Sequence, residues 1–135
     1  MEGKFMKKYV ILAITLVCFI TLLVGCSTED TKVFKLRNIN SIVLKDNTTG
    51  GSVTIVDKDT VSTLVNNFNK LSIKHYREVM PATNGFSIIF KNADGNIIED
   101  MCIFGKTMIY YSNTWYDVTK GTIDFDLIKT QLEKQ

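Results

Sequence analysis

The stretch FSIIFKNADGNIIEDMCIFGKTMIYYSNTWYDV, residues 86–118, decides the fold. It reads as four strands rich in aromatic and branched residues: Phe86 to Lys91, Asn96 to Phe104, Thr107 to Tyr111 and Thr114 to Val118. Asn92-Ala93-Asp94-Gly95, Gly105-Lys106 and Ser112-Asn113 join them. Connections this short allow only hairpins, so the four strands form an antiparallel meander.

Upstream lies the clearest helix of the chain. Val61, Leu64, Val65, Phe68 and Leu71 recur at helical spacing on one face, with Ser62, Asn66, Asn67 and Lys70 on the other. Asp57 is placed to cap it, and Asp59 sits in the first turn against the positive end of the helix dipole. Before it, Val33 to Leu36, Ser41 to Lys45 and Ser52 to Val56 read as short strands. The last two flank the turn signal Asp46-Asn47-Thr48-Thr49-Gly50-Gly51. No Lys-Ser/Thr follows those glycines and a strand comes next, so a phosphate loop is not indicated. Ile73 to Gly85 reads as an irregular connection holding the sole His75 and the sole Pro81. After the meander, Asp124 caps a short helix with Phe125, Leu127, Ile128 and Leu132 as its apolar side. The expected fold is α+β: an antiparallel sheet of the four-stranded C-terminal meander plus N-terminal strands, packed on one main helix and a short C-terminal helix. Whether the N-terminal strands extend the sheet or make a second layer is open at this stage.

The chain begins with the three parts of a secretory signal. Lys4, Lys7 and Lys8 form a basic start, Tyr9 to Val24 an apolar run, and Leu23-Val24-Gly25-Cys26 a lipobox, with cleavage expected between Gly25 and Cys26. Met6 is an alternative start. The run is short for a transmembrane helix, which needs about 20 apolar residues. Cys26 is therefore expected to carry diacylglycerol and palmitate-type chains, and two chains anchor where one is marginal. The organisation read from this is a signal peptide at 1–25, a flexible tether at 26–32 and a single domain at 33–135. The expected location is the extracytoplasmic face of the cell membrane.

Of 16 basic and 14 acidic residues, Lys4, Lys7, Lys8 and Glu2 lie in residues 1–25, so the remainder carries 13 of each. A neutral domain offers no footprint for nucleic acid, which requires clustered Lys and Arg. Of three cysteines, Cys18 lies in the signal and Cys26 takes lipid, so Cys102 has no partner for a disulfide.

Catalytic and metal signals are weak. Cys102, between Met101 and Ile103 in a strand, reads as a structural thiol. There is no His or Cys pair at ligand spacing, and Asn92, Asp94, Asn96, Glu99 and Asp100 fit a hairpin turn better than a calcium loop. No cofactor and no metal are expected. The lead is aromatic: Tyr110, Tyr111, Trp115 and Tyr116 lie on adjacent strands, and alternation must divide them between both faces. Either they pair across strands to stabilise the sheet, or some form a recognition surface with His75. The second reading expects Tyr111, Trp115 or Tyr116 to be substantially exposed beside a groove bordered by residues 73–85.

The lipobox, the short tether, Ile55-Val56-Asp57-Lys58-Asp59 before the helix, and Phe86-Ser87-Ile88-Ile89-Phe90 with Asp94-Gly95 after it resemble small uncharacterised lipoproteins of Gram-positive bacteria. The resemblance implies a lipid anchor and a small α+β domain and transfers no catalytic residue. The expected role is a non-enzymatic binding or accessory module that meets a protein, peptide or envelope component. The competing expectation is a small hydrolase pairing His75 with Glu78, Glu99 or Asp100.

Overall fold

The computed structural model describes residues 6–11, 14, 31–76 and 85–134. Residues 6–11 and 14 are helical and exposed; among the described residues no helix is long and apolar enough to cross a membrane. The lipobox Leu23–Cys26 and the first residues of the expected tether lie outside the described residues, as do Glu78 and Pro81.

The domain is α+β. Eight strands form one antiparallel sheet: β1 (Thr31–Val33), β2 (Ser41–Asp46), β3 (Ser52–Ile55), β4 (Ser72–His75), β5 (Phe86–Lys91), β6 (Ile97–Phe104), β7 (Met108–Tyr111) and β8 (Thr114–Lys120). Two helices follow the pattern read above: α1 (Lys58–Asn69) and α2 (Phe125–Glu133). The order across the sheet is β1-β4-β8-β7-β6-β5-β2-β3. The meander is its centre, and the N-terminal strands extend it at both edges. The sheet is thus larger than the four-stranded meander with its few N-terminal strands.

Three differences from the sequence reading have one cause. The first strand is Thr31–Val33, two residues inside the segment read as tether, and Phe34 to Leu36 leave the ladder. Phe34 and Leu36 are nonetheless buried, because their alternation with Lys35 reports side-chain burial and not backbone pairing. Within the segment read as irregular, Ser72–His75 is strand β4, with Ile73 fully in the core and paired to Val118 of β8. Its four residues carry too little pattern to declare a strand whose partner lies some forty residues away.

Residues 34–40 carry the chain from one edge of the sheet to the far side of the meander. From β1 to β2 is six inter-strand steps, about 29 Å at the usual spacing. Eight residue steps from Val33 to Ser41 make the crossing, with a bend at Asn38, whose φ is +57°. The segment is held midway by Asn69 at the end of α1. Its Oδ1 accepts the Leu36 N–H at 2.7 Å and its Nδ2 donates to the Leu36 carbonyl at 3.0 Å, replacing the ladder bonds that Leu36 forgoes.

Both helices are capped as their sequences require. Asp57 Oδ2 accepts from the Thr60 N–H at 2.9 Å and the Thr60 hydroxyl at 2.7 Å, which holds its carboxyl below the usual carboxylate range. Asp124 Oδ1 accepts from the Leu127 N–H at 3.3 Å. Asn67, placed on the polar face of α1, donates to the Thr122 carbonyl and accepts from the Asp124 N–H, so it ties the two helix ends together. At the start of β5, Gly85 lies so close to β6 that a Cβ would collide with the Ile103 carbonyl oxygen.

The helices and the crossing segment cover one face. Ile42, Leu44, Ile73, Ile88, Phe90, Ile103 and Ile109 meet Val61, Leu64, Phe68 and Ile128 beneath them. Phe68 stands edge-on to Phe34 at 6.1 Å and to Phe90 at 5.3 Å, joining crossing segment, helix and sheet. Phe68→Ala is expected to cost about 3–5 kcal/mol in chemical denaturation, because it opens a cavity where three elements meet. A cost below about 1 kcal/mol would mean that those elements do not depend on the ring.

Candidate functional site

The cover over the sheet has a gap. Where the crossing segment leaves β1, it stands apart from the start of β6, and a cleft of about 440 Å³ opens between them. Lys32, Val33 and Lys35 form one wall, Ile98 and Glu99 the other, and Tyr111 lies among the lining residues. The β6 wall is irregular. Phe90 pairs with Glu99 and Lys91 with Ile97, so Ile98 is an extra residue in the ladder, and such bulges re-aim side chains at sheet rims.

Two polar contacts are fixed at the cleft. The Tyr111 hydroxyl donates to Glu99 Oε1 at 3.0 Å, and the Lys32 ammonium donates to the Tyr116 hydroxyl at 3.0 Å while lying 5.3 Å from that ring's centre. Burial, with the Glu99 carboxylate beside it, pushes the Tyr111 phenol up to about 12. Ionising this phenol would place two negative oxygens against each other. At neutral pH Tyr111 is therefore a hydrogen-bond donor, pre-oriented toward Glu99.

The structure separates the aromatic residues by face. Tyr111 and Tyr116 lie on the covered face, with ring centres 6.3 Å apart, and Tyr111 packs edge-on against Phe34 at 5.5 Å. Trp115 lies on the open face between Phe104, at 4.8 Å, and Tyr110, at 5.0 Å. The expectation of a substantially exposed ring is corrected. Tyr116 is in the core at 4% exposure, and Tyr111 and Trp115 are half-buried, because each ring is covered by cross-strand neighbours. Tyr111 does adjoin a groove, but residues 32–36 border it, and of the described residues 73–76 and 85 Ile73 lines it.

His75 ends β4 and is exposed, with its ring 6.3 Å from Tyr116. Among the described residues it meets no carboxylate. Glu99 is engaged by Tyr111, and Asp100 points to the opposite face, where it lines a shallower hollow of about 310 Å³ with Ser87, Cys102 and Tyr110. The Cys102 thiol is half-buried there, 3.6 Å from the Ser87 hydroxyl. Asn92 Oδ1 accepts from the N–H groups of Asp94 and Asn96 and so closes the hairpin turn. Among the described residues no group of three His, Cys, Asp or Glu side chains is placed to hold a metal ion.

Lys32, Val33, Lys35 and Ile98 were not legible as site residues. The one available signal was Ile97-Ile98-Glu99-Asp100, where the strand's alternation breaks into two apolar residues and then two acids. No protein-family model, no curated protein and no solved structure matches this chain.

The Tyr111 phenol is expected to titrate near 12, which alkaline absorbance titration reads as a late component missing from Tyr111→Phe. Since folding raises this pKa, the associated stability is whole below the ordinary value of 10.0 and is lost as pH climbs through about 12. A wild-type titration without a late component would show that the Tyr111–Glu99 bond does not persist.

Proposed function

We propose that this chain is a membrane-anchored extracytoplasmic lipoprotein that acts as a non-enzymatic binding module. The anchor reading is supported by Leu23-Val24-Gly25-Cys26 after a basic and apolar start. The binding reading is carried by one observation: a cleft in which the Tyr111 hydroxyl is held on Glu99 beside the apolar Val33, Phe34, Leu36, Ile73 and Ile98. Such a recess suits a ligand with an apolar body and few polar groups, because burial supplies affinity and the fixed Tyr111–Glu99 pair supplies orientation.

The test has two parts. Produced in a Gram-positive host, the chain is expected to carry lipid on Cys26 by mass spectrometry and to sediment with membranes, whereas Cys26→Ser loses both. With the lipidated chain as bait, envelope components held by wild type are expected to fall at least tenfold for Tyr111→Ala, the effect of removing one buried aromatic anchor. They should be unchanged for Thr48→Ala at the far end of the sheet. Equal retention by all three chains would end the case for the cleft.

A further inference from the structure

The sheet has two distinct ends. One carries Thr31, His75 and the hairpin turns at 92–96 and 112–113; the other carries the turns at 47–51 and 105–107. Four large apolar side chains of the sheet domain are exposed: Val33 at 52%, Val56 at 70%, Ile97 at 58% and Ile98 at 41%. Ile97 and Ile98 open β6 at the Thr31 end. Val56 follows Ile55, the last residue of β3, at that same end. Val33 pairs with Ser72, which faces Lys120 at the end of β8, so it lies toward the other end of the sheet. Among the described residues three of these four, Val56, Ile97 and Ile98, thus gather at the Thr31 end.

The chain toward the lipobox leaves from Thr31. From Cys26 to Thr31 is five residue steps, which reach at most about 18 Å. We propose that the end of the sheet carrying Val56, Ile97 and Ile98 rests in the interfacial layer of the lipid bilayer, with the cleft opening toward it. This rests on the lipid-anchor reading above. A lipid on Cys26 holds this end, and no other, within reach of the headgroups. Side chains that are costly to expose to water are then covered by the acyl boundary, where an apolar face sinks about 5–10 Å. The cleft's ligand would accordingly be met at the membrane surface.

The test uses the full lipidated chain in vesicles of brominated phosphatidylcholine mixed with phosphatidylglycerol. The sole tryptophan is first removed as Trp115→Phe, and a reporter is placed at one end as Ile97→Trp or at the other as Thr48→Trp. Asp94→Trp, at the tip of the same hairpin, serves in place of Ile97→Trp if that variant fails to unfold cooperatively. Emission at the Ile97 or Asp94 position is expected to fall by about half relative to unbrominated vesicles, with little change at Thr48, because bromine quenches only at interfacial depth. Mass spectrometry of Cys26 accompanies each sample. Lipid on Cys26 with no quenching at the hairpin, or with equal quenching at both ends, overturns this orientation while the anchor stands. Absence of lipid on Cys26 overturns the anchor and this proposal with it.

Discussion

Phe68 is the contact on which the rest of the structure depends. Its ring meets Phe34 of the crossing segment on one side and Phe90 of β5 on the other, and it is wholly withdrawn from water. The next residue, Asn69, satisfies both backbone groups of Leu36. Two neighbouring positions at the end of one helix thus fix how the chain crosses the sheet. Apolar burial provides the driving force, and the two amide bonds set the height at which the segment lies. Without that crossing, β1 could not reach its edge while β2 pairs with β5.

The same crossing creates the cleft. The segment packs Phe34 against Tyr111 but leaves an opening beside it, and the bulge at Ile98 lies on the facing wall. What remains is a recess floored by a neutral phenol, between a lysine-bearing wall and a wall carrying Glu99. Its phenol is already held on Glu99, so a ligand meets a donor–acceptor pair that is arranged in advance.

The two faces of the sheet have different characters. The covered face holds the core and the Tyr111 cleft. The open face carries Trp115 between Phe104 and Tyr110, a mutual packing that shields three rings without a helix above them. Val56, Ile97 and Ile98 are exposed at the end where the chain enters from the proposed lipid anchor. A neutral domain lacks long-range charge to orient it on a membrane, which leaves the tether's attachment point and this apolar rim as the orienting features.

Local chemistry was legible in the sequence. The meander, α1 with its Asp57 cap, α2 with its Asp124 cap and the hairpin turns all follow from periodicity and turn residues, because each is specified by atoms within a few positions of one another. Burial was legible too: Phe34, Leu36 and Phe68 were recognisable as apolar positions. Tertiary structure decided which backbone partners those positions take. Phe34 and Leu36 leave the ladder although they alternate like a strand, Ile73 to His75 join it although they read as loop, and of the three rings singled out Tyr116 is the one in the core. Strand alternation separated Tyr111 and Tyr116 from Trp115, but which face the helices would cover depended on contacts between residues far apart in the chain. The cleft belongs to this second class, since Lys32 and Glu99 share it only after a seven-residue segment has crossed the sheet.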